Sequence, residues 1–494
     1  MKDIKSFKLN PSWLFFLFPF LLISGPFLPD LFISSISLFF LIKILIDNEK
    51  YNLFKNKIFY FLIIFYFYIN INSFFSYKPI ISFQTSIPYI RLILFSFFLS
   101  YFLNSFLNLR KIIVISFILS YVVLLFDSLF QLFTGTNSLG YPILNNRLSS
   151  LFGDRLIMGS FVSRTLPLII GLLFLEKFKY RFFLQIFIFF ISGILIYLSA
   201  ERLAFAYYVI TLSLFIFFIL NKKNFLFIIV AIITFFLFLN FLRPASTQRI
   251  VNHSINQFKE GKKISLFSYR HELHFVTAYN IFKDNIYFGS GLKTFRLLCD
   301  NDKFIPIDKI LIDNTLKSPT DGFVYKKVNA ENNMSLIISK TLVSFEELEL
   351  AFNNKNLFHY VITKDKQLIK FYKENGDFVY KNEPIFTAYD YKNGCNTHPH
   401  NVLLQFLSEL GLVGFIFYFI AIYFLIKNIL FIIVKKIKNK KISSNKYLFF
   451  FILLGLFLNL FPLFPSGNFF NNWLSVVFYF YIGFLIYSLK SKQL

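Results

Sequence analysis

The sequence lacks the motifs by which many enzymes hold a nucleotide or a metal ion. It has no Gly-x-x-x-x-Gly-Lys loop to cradle the phosphates of a nucleoside triphosphate. Its six histidines and two cysteines do not cluster at the spacing of metal ligands. The loops predicted below to lie outside the membrane contain no acidic pair of the kind that a metal-dependent transferase uses. We therefore expect no metal and no cofactor.

Acidic residues are also scarce, with 26 Asp and Glu against 51 Lys and Arg, which gives a formal charge of +25. Hydrophobic residues make up 56% of the 494 residues, Phe alone contributes 76, and the mean hydropathy is +0.60. A soluble chain of this length could not bury so much apolar surface, whereas repeated apolar runs near 20 residues are typical of transmembrane helices. The basic residues lie in short clusters between these runs. This pattern favours a membrane protein over a nucleic-acid-binding protein.

The apolar runs predict an all-α polytopic membrane protein with about twelve transmembrane helices. The N-terminus is basic and precedes an apolar run, but no small-residue cleavage site follows. The first run is therefore predicted to be a retained span and not a signal peptide. The predicted spans are 12–24, 27–46, 58–75, 87–103, 112–133, 156–175, 182–198, 203–220, 225–242, 402–426, 447–464 and 473–489.

Alternate loops between these spans differ in charge. One set carries basic clusters, as at 50–57, 177–181 and 435–441, and the other set is sparse in Lys and Arg. The positive-inside rule then predicts that both termini lie in the cytoplasm. On this reading residues 1–242 form spans one to nine, residues 243–400 form a periplasmic segment, and residues 401–494 form spans ten to twelve.

The predicted external segment 243–400 differs in composition from the rest of the chain. It carries 22 Lys and Arg against 17 Asp and Glu, whereas the remainder carries 29 against 9. Near charge balance is typical of a water-exposed domain. Residues 246–285 predict helices at the membrane surface, and residues from about 300 to 394 predict a β-rich insertion. Within the insertion, 318–324 and 374–386 resemble the two halves of a lipoyl- or biotinyl-type barrel-sandwich, with a small helical insertion at 344–353.

Two cysteines, Cys299 and Cys395, bracket this insertion, and the chain has no others. In an oxidising compartment, an isolated pair placed in this way predicts a disulfide, with two free thiols as the alternative. In the chain-entropy model, closing a loop of about 100 residues stabilises the fold by roughly 4 kcal/mol.

Polar residues able to do chemistry meet a membrane helix at 395–401, where His400 and Asn401 precede the predicted span 402–426. The run His-Asn-x-x-Leu-Gln-x-x-x-Glu-Leu-Gly-Leu-x-Gly at 400–414 resembles the signature of the O-antigen ligase and polymerase family, membrane enzymes of bacterial surface polysaccharide assembly. Three further pieces match in the same order, namely Arg147-x-x-x-x-Phe-Gly-Asp154, Ser199-Ala-Glu-Arg202, and Arg270-His-Glu-Leu273 with the following Gly289-Ser-Gly-Leu292.

The resemblance implies a C-type glycosyltransferase-like fold in the bacterial inner membrane. It implies transfer of a glycan from undecaprenyl diphosphate to a sugar hydroxyl of the lipid A core, with inversion at the anomeric carbon. His400 would be the catalytic base, since histidine titrates near neutrality, and Asn401 would support it. Arg202, Arg270 and Arg147 would bind the donor diphosphate, because the guanidinium stays protonated and donates in a planar fork. The expected partners are the lipid-linked donor, the acceptor and membrane lipids.

Four other functions stay open at the level of sequence, the most remote being a receptor or structural scaffold built on the insertion. A polymerase of the same family would extend the glycan on its lipid carrier by the same donor chemistry. A third possibility is attachment of glycans to protein. A flippase or transporter of the lipid-linked sugar would more naturally show internal repeats and charges in the middle of its spans. The sequence shows no obvious repeat, and we expect Asp127 to be the main charge within a span.

Overall fold

The computed structural model is mostly helical, with one β-rich part. It describes residues 12–46, 56–106, 108–219, 225–252, 255, 267, 269–301, 303–304, 313–328, 334–340, 358–362, 368–389, 394–438 and 440–490. Contacts divide the chain into two units. The first comprises 1–268, 281–295 and 397–494, and the second comprises 269–280 and 296–396. Each is described below by itself.

The helices of the first unit follow the apolar runs of the sequence. They are α1 Ser12–Ile23, α2 Phe27–Ile46, α3 Lys57–Phe74, α4 Pro79–Ser86, α5 Ile90–Ser105, α6 Leu109–Thr134, α7 Met158–Leu175, α8 Arg181–Ser199, α9 Arg202–Ile219, α10 Phe225–Leu242 and α11 Pro244–Thr247, and further along the chain α14 Val402–Ile437, α15 Ser444–Leu460 and α16 Asn472–Lys490. Helices α12 and α13 are given with the second unit.

Within the described ranges, nine candidate spans are long and apolar enough to cross a membrane. The apolar helices α1 and α15 are shorter, at 12 and 17 residues. Large apolar side chains also cover the outside of the helices, as shown by Phe133 and Phe241, each 83% exposed, and Leu45, 76% exposed. Water-soluble monomers rarely expose contiguous surfaces of this kind. The chain is therefore a multi-pass membrane protein, and the count of twelve spans stays a prediction.

The longest helix, α14, is interrupted at Gly411, whose φ of 62° and ψ of −162° are not helical. Such a break leaves carbonyls before it and N–H groups after it without partners in the helix. The segment 286–291 supplies them. Four backbone hydrogen bonds of 2.8–3.2 Å cross the gap, donated by Ser290 to Ser408, by Gly291 to Glu409, by Leu412 to Ile286 and by Val413 to Tyr287. Glu409, on the turn before the break, is fully buried.

Two glycines permit this close crossing of backbones. A Cβ on Gly289 would lie 2.5 Å from backbone atoms of Glu409, Leu410 and Gly411. A Cβ on Gly411 would lie 2.4 Å from the carbonyl oxygen of Tyr287. Both glycines also have positive φ, which other residues adopt only at a cost. The Gly-x-Gly and Glu-Leu-Gly pieces of the sequence therefore meet at the interruption of α14.

The second unit holds helices α12 Tyr269–Asp284, whose last turn belongs to the first unit, and α13 Phe295–Leu298. Its strands are β1 Asp313–Lys317, β2 Gly322–Val328, β3 Met334–Ser339, β4 Phe358–Ile362, β5 Leu368–Phe371, β6 Phe378–Val379 and β7 Pro384–Tyr389. They form a three-stranded sheet in the order β1-β7-β5 and a four-stranded sheet in the order β4-β3-β2-β6, with antiparallel pairs throughout.

The two turns expected to be related halves of this module contact each other. The Ser318 N–H donates to the Glu383 carbonyl at 2.9 Å, and the Asn382 N–H donates to the Ser318 carbonyl at 2.7 Å. Buried apolar side chains, among them Val324, Leu336 and Phe386, form the core between them. The likeness to a barrel-sandwich stays a prediction, and the expected helical insertion at 344–353 lies outside the described residues. Of the expected surface helices at 246–285, the structure describes α11, a π-helical turn Gln248–Asn252 and α12.

A disulfide closes the second unit at its base. Cys299 and Cys395 are paired across 96 residues, with their Cα atoms 4.7 Å apart. The adjacent Gly394 packs tightly on α12, because a Cβ there would lie 2.0 Å from Thr277 Oγ1 and 2.5 Å from the Leu273 carbonyl oxygen. The disulfide therefore joins the two ends of the insertion, and Gly394 packs the second of these ends against α12.

We expect Gly289→Ala to destabilise the protein more than Gly135→Ala. Both positions have positive φ, 73° and 85°, so both substitutions incur left-handed strain of about 1–2 kcal/mol. Only the Cβ at position 289 meets the backbone of α14, which adds about 1–3 kcal/mol of overpacking, whereas nothing lies within 4 Å at position 135. Thermal unfolding of both purified variants in detergent measures the difference. Equal losses would show that the crossing does not constrain the fold.

Candidate functional site

His400 stands immediately before α14 in a backbone conformation that non-glycine residues seldom adopt. Its φ is 56°, in the left-handed region. The His400 carbonyl accepts a hydrogen bond from the Ser466 N–H at 2.7 Å, which fixes the backbone there. The imidazole is half-buried. A strained backbone held by a neighbouring loop is a common feature of functional sites.

His398 and Asn401, on either side of His400, hold the loop in place. His398 is buried, with Nε2 3.1 Å from the Ser466 carbonyl oxygen and Nδ1 2.9 Å from Thr397 Oγ1. Asn401 caps α14, since its Oδ1 accepts from the Leu404 N–H at 3.1 Å. Its Nδ2 donates to the Pro462 carbonyl at 2.6 Å. Both side chains thus hold the residues on either side of His400 in place, and the supporting role of Asn401 in the reaction stays a prediction.

Arg147 is held by Glu201. Arg147 Nη2 lies 3.4 Å from Glu201 Oε1 and donates to the Leu156 carbonyl at 2.6 Å, while Nε donates to the Ser199 carbonyl at 3.2 Å. Glu201 also accepts from the Gly159 N–H and the Ser160 hydroxyl. Burial raises the pKa of Glu201, and the Arg147 charge opposes that rise. Burial likewise lowers the pKa of Arg147, with Glu201 acting in the opposite direction. Through these contacts Arg147 holds the loop between α6 and α7 against the turn 199–202 between α8 and α9.

Two arginines that the sequence pattern did not single out lie beside this loop. Arg243 Nη2 donates to the Asn146 carbonyl and Arg249 Nη1 donates to the Asn145 carbonyl, each at 3.2 Å. Arg243 is only 7% exposed, and its Nη1 is buried without a hydrogen-bond partner. The positive charge of Arg249 acts on Arg147. The sequence did contain a signal for them. Both arginines follow the ninth predicted span, at its predicted external end, where the positive-inside rule expects few basic residues.

Arg202 belongs to the same cluster. It begins α9 directly after Glu201, is half-buried, and lies close enough to Arg249 for the two charges to interact. The described cluster therefore contains four guanidinium groups, those of Arg147, Arg202, Arg243 and Arg249, and one carboxylate, Glu201, which is paired with Arg147. A buried donor without a partner and a surplus of positive charge are features that favour binding of an anion.

The arginine cluster and His400 lie at the same end of the helices of the first unit. The loop after α15 connects them. Asn401 donates to the carbonyl of Pro462 in this loop, and the ring of Phe464 packs 6.1 Å from the ring of Tyr207 in the second turn of α9. The starts of α9 and α14 and the end of α15 are thus adjacent.

A buried charge inside α7 was also missed. Arg164 is 2% exposed, donates from Nη1 to Asn459 Oδ1 at 2.6 Å, and lies 5.4 Å from the ring of Tyr207. Its Nε is buried without a partner. Asp127, expected to be the main charge within a span, lies in α6 and accepts from the Ser138 N–H and the Ser150 hydroxyl. Arg164 links α7, α9 and α15, the helices that form this end of the site.

The remaining expected residues lie in the second unit. Arg270 is in the first turn of α12, and its side chain lies outside what the structure describes. Over the described ranges, no group of three or more His, Cys, Asp and Glu side chains could hold a metal ion.

No protein-family model matches the chain, and no curated protein sequence matches it.

We expect Glu201→Gln to flatten part of the pH dependence of stability. A carboxyl whose folded pKa is raised above its unfolded value near 4.5 stabilises the folded state below that value, and this contribution is lost as the pH rises through the folded pKa. The neutral amide has no such loss. The unfolding temperature of Glu201→Gln, measured relative to that of the wild type, should therefore increase as the pH is raised from 4 to 7. A constant difference over this range would contradict the burial effect at Glu201.

Proposed function

We propose that this protein is an O-antigen ligase-type glycosyltransferase of the bacterial inner membrane, which moves a glycan from undecaprenyl diphosphate to a sugar hydroxyl of the lipid A core. The observation that carries the proposal is the cluster of Arg147, Arg202, Arg243 and Arg249 at the helix end that also holds His400. Arginines match a diphosphate leaving group, and a histidine matches an acceptor hydroxyl that must lose a proton. The resemblance of the sequence motifs points to the same reaction.

The arginine cluster has the chemistry needed at the donor end. As the bond between the anomeric carbon and the diphosphate oxygen breaks, negative charge grows on the leaving diphosphate. Guanidinium groups that are already in place stabilise this charge without reorganisation. Arg202 and Arg243 supply donors, Arg249 adds charge beside them, and Arg147 is committed in part to Glu201. Arg270 is retained in the proposal as a further ligand of the diphosphate, on the strength of the sequence resemblance.

His400 takes the part of the general base. The acceptor hydroxyl oxygen forms a bond to the anomeric carbon on the face opposite the diphosphate, and its proton passes to the imidazole. The diphosphate leaves with the bonding electron pair, so the configuration at the anomeric carbon inverts. The lipid diphosphate itself supplies the free energy, and the reaction needs no nucleotide, no metal and no other cofactor. Asn401 and His398 keep His400 at the mouth of α14.

The proposed orientation has both termini in the cytoplasm, twelve spans, and the site on the periplasmic side. Basic clusters lie at the opposite end of the helices from His400, as at Lys177, Lys179 and Arg181 between α7 and α8, and at Lys435 and Lys436 at the end of α14. This asymmetry supports the orientation by the positive-inside rule. The periplasmic side is also where a disulfide such as Cys299–Cys395 forms.

We expect His400→Ala to abolish most glycan transfer while the protein stays folded. Loss of a general base typically lowers a rate by about 10²–10⁴. The measurement is transfer by purified protein in lipid nanodiscs, from a polyprenyl-diphosphate glycan to lipid A core. Tyr180→Ala is the control, because Tyr180 is an exposed ring side chain between α7 and α8, at the opposite end of the helices from His400. Full activity in His400→Ala would refute the assignment. Activity that extends the lipid-linked glycan, but never reaches the lipid A core, would identify the polymerase instead.

We expect Arg202→Gln and Arg249→Gln to weaken use of the donor. Each removes a charge from the cluster, so the donor KM should rise or kcat should fall, by roughly tenfold for one hydrogen bond to a charged group. The control is Arg155→Gln, since Arg155 is an exposed arginine on the same loop as Arg147. If both cluster variants keep wild-type donor kinetics, the cluster does not bind the diphosphate.

A further inference from the structure

Arg164 is a positive charge buried among membrane helices. It lies in the second turn of α7 and is only 2% exposed. Over the described ranges no carboxylate is ion-paired with it. Its Nη1 donates to Asn459 Oδ1 at 2.6 Å, and its Nε is buried without an acceptor. A charge placed in this way costs free energy, so charged residues within membrane helices usually have a function.

The backbone that carries Arg164 is fixed independently of its side chain. Pro167, in the same turn of α7, has no N–H to donate within the helix. The Tyr481 hydroxyl of α16 bridges this turn, because it accepts from the Leu168 N–H at 3.1 Å and donates to the Arg164 carbonyl at 2.7 Å. Gly455 of α15 leaves room for the tyrosine, since a Cβ there would lie 2.1 Å from its ring. The side chain of Arg164 therefore starts from a fixed point.

Arg164 lies one helical turn below the contact between α7 and Glu201. Ser160, four residues earlier in α7, donates to Glu201 Oε2 at 2.7 Å. Residues four apart share one face of a helix, and side chains on a helix lean towards its N-terminus. Arg164 therefore occupies the layer beneath Glu201 and the neighbouring Arg202, which begins α9.

Two contacts of the Arg164 guanidinium join the helices that lead to the two halves of the site. Its central carbon lies 5.4 Å from the centre of the Tyr207 ring in α9, the helix that begins at Arg202. Its hydrogen bond to Asn459 holds the last turn of α15. One side chain thus connects the helix of the arginine cluster with the helix that precedes the loop 461–466.

The loop 461–466 connects this position to His400. The Ser466 N–H donates to the His400 carbonyl at 2.7 Å. On its other side the loop contacts α9, where the ring of Phe464 lies 6.1 Å from the ring of Tyr207. All of these residues belong to the first unit. A shift at the end of α15 would therefore move the backbone that holds His400.

We propose that Arg164 is a positioning residue, which sets the distance between the arginine cluster and His400. The proposal rests on the proposed function. In that reaction the diphosphate and the acceptor hydroxyl must lie in line on opposite faces of the anomeric carbon, and a misplacement of about 1 Å can lower a rate by about a hundredfold. Arg164 acts through Asn459 and Tyr207 and does not itself bind the substrate.

The test replaces both partners of the buried hydrogen bond in the full-length protein in nanodiscs. Arg164→Met combined with Asn459→Leu puts apolar side chains at both positions, so the protein should stay folded without a large loss of unfolding temperature. We expect kcat for glycan transfer to fall about tenfold or more, and the donor KM to change much less. Backbone amides of 461–466 should exchange hydrogen about tenfold faster or more, as measured by mass spectrometry. Unchanged kcat or unchanged exchange would overturn the proposal.

Arg164→Lys separates the position of the loop from the charge. Lysine keeps the positive charge but lacks the planar guanidinium that reaches both Asn459 and Tyr207. We expect kcat to stay low and the exchange of 461–466 to stay fast in this variant. Wild-type kcat in Arg164→Lys would show that the charge alone matters, and the positioning role would be wrong. This variant also decides the question if the double variant fails to fold.

Arg110 and Glu176 provide the matched control. Arg110 Nε donates to Glu176 Oε1 at 2.6 Å, and the guanidinium carbon lies 5.4 Å from the ring of Tyr487. The pair has the same kinds of contact as Arg164, but it lies at the start of α6 and the end of α7, away from His400. Arg110→Met combined with Glu176→Leu should keep the kcat of the wild type. A loss equal to that at Arg164 would mean that any buried polar pair has this effect, and would overturn the proposal.

The same variants separate this proposal from the proposed function. If the wild-type protein transfers no glycan while exchange of 461–466 rises in the Arg164 variants, the transferase assignment fails and the structural role of Arg164 stands. If the wild-type protein transfers glycan and the Arg164 variants match it in kcat and in exchange, the transferase stands and the positioning role fails.

Discussion

The interruption of α14 is the constraint on which the candidate site depends. Backbone groups without partners cost several kcal/mol each in a membrane, so a helix can be broken there only where protein replaces the lost hydrogen bonds. The segment 286–291 does so with four backbone bonds, and Gly289 and Gly411 make the approach possible. The short half of α14 then begins at Asn401, with His400 directly before it. Broken helices in membrane proteins often place such half-helix starts beside an anionic substrate.

A second constraint is electrostatic. These arginines lie at the end of the helices away from the basic clusters at 177–181 and 435–441, and Arg243 keeps a buried donor without a partner. Such an arrangement costs free energy, and in the proposed function a bound diphosphate supplies a hydrogen-bond acceptor and negative charge. Glu201 offsets only part of this surplus, through Arg147.

Sequence reasoning predicted the parts of this architecture that depend on local pattern. Apolar runs located the helices, and the position of His400 and Asn401 at a helix start is visible in the polar-to-apolar change at 401. With only two cysteines in the chain, Cys299 and Cys395 are the one possible intramolecular pair. Features of this kind can be recognised from neighbouring residues or from the number of cysteines alone.

Other features depend on contacts between distant segments. The break at Gly411 is hidden in a continuous apolar run, because glycine is tolerated in membrane helices and only the crossing of 286–291 requires it. Arg243 and Arg249 contact a loop about 100 residues earlier in the chain. Arg164 is the single charged position of an otherwise mostly apolar helix, and its partner Asn459 is 295 residues away. The residue pattern within one segment does not reveal such contacts between distant segments.

The configuration of the product tests the central claim most directly. If a hydroxyl activated by His400 displaces the diphosphate in one step, the new glycosidic bond has the opposite anomeric configuration to the donor. Purified protein, a polyprenyl-diphosphate glycan of known configuration and a lipid A core acceptor suffice for the measurement, with the product read by anomeric proton couplings in NMR. Inversion, lost together with all transfer in His400→Ala, is the result predicted here. Retention of configuration would contradict the account, since it requires a covalent intermediate or a different reaction course.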